Sequence, residues 1–380
     1  MDANFKGNKG TALALLGLAL FVCFISGRIF LAQWAEDKIV PAYGFEQKML
    51  SDYFSGLKGS PMDTPVFVQT GAEEGGSVLI LGGTHPNEPS GLMSAVIFLE
   101  RAQVKKGKLF VIPFGNMSGF NNTLAQEASP NTMHFTLADK SVRTFRYGSR
   151  DTNPVVMWPT PDIYVHKASG QNLSGNESKN LNRAYPGDPN GSPTEKLAYG
   201  IMELLRKEKI TLAFDLHEAS PEYPVVDAIV AHEKSMELAA ASAMELKGKG
   251  IEIRLEPSPK NLRGLSHREW GDATDTLPIL LESANPSQGR LRGRTDETLV
   301  LEGKDKAYIK AAGLGRLFVP FDESGKPLDL RTARHVATIS AFVEMLDLFD
   351  ETTGVVIDGI PTYDAILKKG VGSYLTPLPN

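Results

Sequence analysis

The chain has one cysteine, Cys23, among its 380 residues. That excludes an internal disulfide framework and any thiolate-rich zinc or iron–sulfur centre, so a metal here has to be held by His, Asp and Glu. Positive charge is not in excess either, with 40 Lys and Arg against 45 Asp and Glu and a formal net charge of −5. No stripe of basic residues interleaved with aromatics runs along the chain, so nucleic acid is not an expected partner. A Gly-x-Ser-x-Gly elbow is missing, which argues against a serine hydrolase. There is no internal repeat. Hydrophobic residues at 42% and charged ones at 22% are globular proportions, in a length that suits one large domain or two medium ones.

A long uncharged apolar run occurs once. Residues 11–26 carry no charge, and after Gly27 and Arg28 the stretch IFLAQW extends the run to Trp34. A helix over 11–34 would be about 36 Å long, enough to span a bilayer with tilt. Residues 1–37 are read as a membrane anchor or a signal segment. The anchor is favoured because no small-x-small site stands cleanly after Ser26, and the residues before Cys23 do not suit a lipoprotein signal. Lys6 and Lys9 precede the run and are expected to stay inside, leaving the rest of the chain in the periplasm or outside the cell. A cleaved, exported form is the second choice, and a buried core helix the third.

From Lys38 to about Phe67 no strong period is visible, and this is read as an entry segment. From Ser77 the pattern alternates: SVLILGG as strand, GLMSAVIFLERA as helix, KLFVIPFGN as strand. Short continuous apolar strands separated by helices predict an α/β fold, a mixed, mainly parallel sheet flanked by helices. Between 116 and 180 the pattern stops in a stretch rich in Asn, Ser, Thr, Gly and Pro. An insertion of that length is read as a functional loop or lid beside a cleft. Order returns with a helix from Pro193, with Glu195 in its first turn. Strands follow in TLAFDLHEA, DAIVAHE, IEIRLEP and LPILLESANP, with a helix in SMELAAASAMELKGKG. A long amphipathic helix over 331–349 closes the pattern, and residues 351–380 are read as a tail.

His85 and Glu88 follow the first strong strand, His217 ends a later one and Glu282 another. Open parallel sheets bind ligands at the carboxyl ends of their strands, which would bring all four groups to one edge. Two imidazoles and a carboxylate are a ligand set of catalytic zinc, which keeps a further position for water. Asp215, two residues before His217, can fix the tautomer of that imidazole.

Four stretches, GGTHPNEPSG (82–91), NLNRAYPG (180–187), FDLHEAS (214–220) and ILLESANP (279–286), occur in the order found in zinc carboxypeptidase A-like hydrolases. They most closely resemble the succinylglutamate desuccinylase/aspartoacylase family, over roughly 77–286. The resemblance implies a zinc carboxypeptidase-like (phosphorylase/hydrolase-like) fold over 38–350 with its insertion at 116–180. It implies one Zn²⁺ per chain on His85, Glu88 and His217, with Glu282 as general base and Asn182 and Arg183 gripping a substrate carboxylate. Pro86 stands where the family usually has Gly, and Asn180 where it usually has Asp. The family's oxyanion-stabilising arginine has no counterpart in SGNESKN just before Asn180. Arg146 and Arg150, with Arg143, are candidates for that place if the insertion folds back, and Arg290, Arg292 and Arg294 are others.

The implied function is hydrolysis of an amide bond next to a carboxylate, of the N-acyl amino acid deacylase type, on a small carboxylate-bearing substrate. Two alternatives stand beside it: a metallocarboxypeptidase trimming peptides, including cell-wall peptides, and a catalytically inactive exported ligand-binding protein. His134, His166, His232, His267 and His335 have no motif around them and are read as structural or solvated.

Overall fold

The apolar run near the N-terminus forms a 24-residue helix, α1 (Lys9–Ala32), none of whose residues is buried. By length and composition it can cross a membrane. The computed structural model describes residues 8–32, 34–124 and 127–379. Lys6, one of the two lysines expected to orient the helix, lies outside them. The chain divides into two units, Met1–Asp37 and Lys38–Asn380.

Among the described residues the second unit has thirteen strands. In chain order they are β1 (Phe45–Met49), β2 (Pro65–Thr70), β3 (Glu73–Leu81), β4 (Gln103–Ile112), β5 (Thr132–Thr136), β6 (Val142–Arg146), β7 (Ile163–His166), β8 (Gln171–Ser174), β9 (Leu212–Ala219), β10 (Ala228–Ala231), β11 (Arg254–Pro257), β12 (Leu277–Ala284) and β13 (Val356–Asp358). Its helices are α2 (Pro89–Arg101), α3 (Pro193–Lys207), α4 (Met236–Gly248), α5 (Ser266–Ala273), α6 (Glu297–Glu302), α7 (Lys306–Gly313), α8 (Leu328–Phe349) and α9 (Tyr363–Lys369). Nine strands make one mixed sheet in the order β1-β2-β4-β3-β9-β12-β10-β11, with β13 also paired to β4. The centre, from β4 through β3 and β9 to β12, is parallel, and antiparallel pairs flank it at β2·β4 and β10·β12.

The continuous apolar strands read from the sequence are buried on both faces, as a sheet covered by helices requires. Val78, Ile80, Leu109, Val111, Phe214, Leu216, Ile279 and Leu281 pack into the core shared with α2 and α8. Their alternates Leu79, Leu81, Phe110, Ile112 and Ala213 pack on the opposite face with α3 and Trp270 of α5. α3 starts at a capping box in which Ser192 Oγ accepts from Glu195 N while Glu195 Oε2 accepts from Ser192 N at 2.8 Å. That pairing satisfies two N–H groups the first turn leaves without partners.

Three segments differ from their expectation. The entry segment holds β1 and β2, an antiparallel pair at the sheet edge; β1 reads FEQKM, with no residue fully buried, so it carries no apolar alternation to read. The insertion, read as a loop or lid, contains two hairpins, β5·β6 and β7·β8, that the sequence pattern did not show. Residues 351–379, read as a surface-packed tail or a partly disordered end, are packed into the domain: β13 pairs with β4, and Ile366, Val371 and Leu375 are buried in the core beside α2 and α8.

Candidate active site

β3 ends at Leu81, and the chain turns through Gly82 and Gly83 into α2. Gly83 has φ +62, and a Cβ there would lie 2.7 Å from the Pro113 carbonyl oxygen, so the turn needs glycine at this position. Glu88 is the N-cap residue of α2, with Pro89 in the first turn. Its side chain does not cap the helix; the carboxylate turns toward β9 instead. Gly91, in the first turn of α2, lets the helix approach β9, because a Cβ there would stand 2.6 Å from the Leu216 carbonyl oxygen. In β9, Asp215 and His217 are two residues apart and so share a face. Glu282 of β12 is the register partner of His217 on the neighbouring parallel strand. The four motif residues therefore meet at one sheet edge.

His85, Glu88 and His217 are all buried, and each offers a ligand atom within 4.8 Å of the others, so the group can hold a metal ion. The hydrogen bonds decide which ring atoms are available. His85 Nε2 meets Asn180 Oδ1 at 2.8 Å, and His217 Nε2 meets Asp215 Oδ2 at 2.8 Å. The Asn180 oxygen requires an N–H on His85 Nε2, and the Asp215 carboxylate beside His217 Nε2 favours one there, which leaves each Nδ1 as a lone pair in the neutral ring. Those two Nδ1 atoms lie 3.1 Å apart. Glu88 completes the group, with Oε1 at 2.8 Å from His85 Nδ1 and Oε2 at 3.0 Å from His217 Nδ1. Two facing lone pairs and a carboxylate, with every outer nitrogen tied down, form a donor set that suits a cation.

The electrostatics agree. Burial pulls the His217 imidazole down, but the Asp215 and Glu88 carboxylates override it and hold it up at about 10, so the pocket favours positive charge at this ring. Burial and the Arg150 guanidinium lower His85. Burial works to raise Glu88, yet His85 and His217 keep it well below the usual carboxylate range. Further contacts hold the ligands in place. Thr84 Oγ1 donates to Asp215 Oδ1 at 2.6 Å, Glu218 N donates to Glu88 Oε2 at 2.9 Å, and His335 Nε2 donates to the His217 carbonyl oxygen at 3.1 Å.

A cavity of about 790 Å³ opens onto the cluster, lined by Glu282, Arg150, Asn182 and Arg183 besides the three ligands. Glu282 Oε2 is buried without a hydrogen-bond partner among the described residues, and burial pushes the carboxyl up to about 8, with Glu88 adding to it. Asn182 Oδ1 accepts from Ser266 N at 2.8 Å, leaving its Nδ2 near His217. Arg183 donates to the Asn182 carbonyl oxygen at 2.6 Å, and both burial and Arg150 pull its guanidinium down. Two cations thus face one cavity wall, an arrangement that an anionic ligand relieves. Arg150 also approaches Glu88 Oε1 at 3.6 Å.

The other arginines sort differently. Arg146 does not line this cavity; it donates to Asn121 Oδ1 at 2.6 Å and stacks over Phe120. Arg143 is locked to Glu100 at 2.6 Å under β6. Arg290 lines the cavity, whereas Arg292 and Arg294 lie in an adjoining cleft. Among the remaining histidines, His166 bonds the Tyr185 carbonyl oxygen and His232 bonds Asp272. His134 lies against Glu297. His267 reaches the cavity wall, held neutral by burial at about 3. Asn180, the partner of His85, carried no role in the sequence reading. Its place in NLNR was visible, but its contact exists only once 180 folds back onto 85.

No model of a protein family matches the chain, and no curated protein does. Similar chains are found among solved structures. Proteins of the succinylglutamate desuccinylase/aspartoacylase family are among them. An aspartoacylase family protein from Mesorhizobium loti is 20% identical, over 64% of this chain and 62% of that one, with a TM-score of 0.39. The product-bound ectoine utilization protein EutE from Ruegeria pomeroyi is 19% identical over 60% of this chain, with a TM-score of 0.37. This chain covers 55% of its length. The product-bound cell shape determinant protein Csd4 from Helicobacter pylori is 12% identical over 80% of this chain and 58% of that one, with a TM-score of 0.45.

Proposed function

We propose that the chain is a zinc-dependent hydrolase that cleaves an amide bond adjacent to a carboxylate. One observation carries this reading. The two buried imidazoles turn both Nδ1 atoms toward each other and toward Glu88, with His85 Nε2 held by Asn180 and His217 Nε2 set against the Asp215 carboxylate. Two His and one carboxylate with a cavity in front are the donor set of a catalytic rather than a structural zinc. When bound there, the metal would polarise a carbonyl and acidify a water.

The chain's own residues supply the rest. Glu282, beside His217 in register, takes the proton of the attacking water and delivers it to the leaving nitrogen. Arg183 and Asn182 bind the substrate carboxylate, and Arg183 offers a planar fork that matches a carboxylate with two parallel hydrogen bonds. Arg150 stands over the cluster, where it stabilises negative charge developing on the carbonyl oxygen. A cavity of about 790 Å³ suits a small amide and also admits the end of a short peptide, which keeps a second reading, a carboxypeptidase trimming a peptide. With α1 as a membrane anchor, the hydrolase unit lies outside the cytoplasm, where cell-wall peptides are such substrates.

The test is to purify the full-length chain in detergent without chelator, measure its metal content, and screen N-acyl amino acids and short peptides for hydrolysis. Near-stoichiometric zinc with turnover that a chelator removes is expected. Zinc without turnover on any amide would leave a ligand-binding protein, and absence of bound metal would end the proposal.

A further inference from the structure

The segment that leaves β12 runs from Gly289 to Thr295 before α6 begins, at the same sheet edge as the ligands. It carries three arginines in alternation, Arg290, Arg292 and Arg294. Together with Ser129 and Thr295 they line a cleft of about 670 Å³. Arg290 also lines the metal-facing cavity, so the two spaces share a wall.

Among the described residues none of these three guanidinium groups forms an ion pair, although four carboxylates are near in sequence or space. Each of those is used elsewhere. Glu222 accepts the backbone N–H of Arg290 at 2.7 Å and the Tyr308 hydroxyl at 2.7 Å. Asp305 caps α7 and accepts from Gly293 N at 2.9 Å. Asp296 caps α6. Glu297 accepts from the His134 backbone N–H at 2.7 Å. Meanwhile Arg292 is fixed by neutral partners: its Nε donates to Thr295 Oγ1 at 2.7 Å and its Nη1 to the Gly289 carbonyl oxygen. One edge of the guanidinium is thus held by the fold while its charge stays uncompensated. Three like charges within five residues repel one another, and a bound anion removes that cost while using the N–H groups left over.

We propose that this cleft is an anion subsite, in which Arg292, flanked by Arg290 and Arg294, binds a carboxylate or phosphate group of the substrate remote from the scissile amide. The assignment to substrate rests on the proposed hydrolase function; anion binding itself does not. The substrate class is then an amide with two acidic ends: one beside the cleaved bond, read by Arg183, and one reached past Arg290.

The experiment is calorimetric titration of inorganic phosphate and of glutarate into the full-length chain in detergent, freed of metal by chelator, at low and high salt. Wild type should bind with an affinity that falls with salt. Arg292→Gln and Arg294→Gln should each weaken binding by about tenfold, the worth of a charge-assisted contact, while Arg183→Gln, which removes the carboxylate grip of the main cavity, leaves the cleft's share of the binding in place. Among the described residues Arg294 makes no hydrogen bond, so its variant keeps the test open if Arg292→Gln disturbs the loop. A preference for phosphate assigns a phosphorylated substrate, and a preference for glutarate a polycarboxylate. Unchanged affinity in both cleft variants, no binding at millimolar ligand, or loss confined to Arg183→Gln would overturn the subsite. Metal content measured on the same preparation separates the two ideas, since a chain that binds the anion but never zinc would sink the hydrolase reading alone.

Discussion

The Nδ1 atoms of His85 and His217 face each other at 3.1 Å, although the residues are 132 positions apart in the sequence. Asn180 fixes one ring and Asp215 the other. A neutral imidazole pair held this way presents lone pair to lone pair, which is unfavourable unless a proton or a metal ion lies between them.

The first expected outcome concerns that pair. His85→Ala or His217→Ala should abolish metal binding, and chelator should abolish hydrolysis in wild type with recovery on added zinc. Asp215→Asn should keep the fold but weaken metal affinity by about 10- to 100-fold, the usual effect of losing a ligand's partner. Competition with a chromogenic chelator reads this. Unaltered zinc retention in all three variants would remove the ligand assignment.

Glu282 carries a separate expectation. Glu282→Gln keeps the size of the side chain but cannot take a proton, so turnover should fall by about 10²- to 10⁴-fold with zinc content unchanged. Full activity in that variant would take Glu282 out of the mechanism.

Gly91 tests how the ligands are brought together. A methyl group there would press on the Leu216 carbonyl oxygen, forcing α2 away from β9 and Glu88 away from His217. Gly91→Ala should cost about 1–3 kcal/mol by overpacking and should also weaken zinc retention. Thermal unfolding and metal content measured together decide it; wild-type values for both would mean that the contact is not limiting.

Arg331 and Glu218 form a fully buried pair at 2.5 Å, joining α8 to the residue next to His217. Burial pushes the Glu218 carboxyl up, against the pull of Arg331. Arg331→Met should destabilise by about 3–5 kcal/mol because it strands a buried charge, and Arg331→Met with Glu218→Gln should recover part of that loss. A denaturant midpoint equal to wild type for Arg331→Met would contradict this.

The sequence by itself determined the α/β class, the apolar helix α1 and the His85, Glu88, His217 group. Strands buried on both faces read as uninterrupted apolar runs, and strand-end motifs survive as short contiguous words such as THPNE and DLHE. It did not show β1, the insertion hairpins or β13. β1 is short, polar and half-buried, β7 and β8 are half exposed four-residue strands, and β13 is three residues long, so these carry little period to recognise; β5 and β6 do alternate, over only five residues each. Tertiary structure alone decided which arginines face the cavity: Arg150, Arg183 and Arg290 do, whereas Arg143 is consumed by Glu100 and Arg146 bonds Asn121. It also gave Asn180 its partner. A guanidinium or an amide looks the same in a sequence whether it meets a ligand or another side chain, and only the folded chain shows which contact its hydrogen bonds have taken.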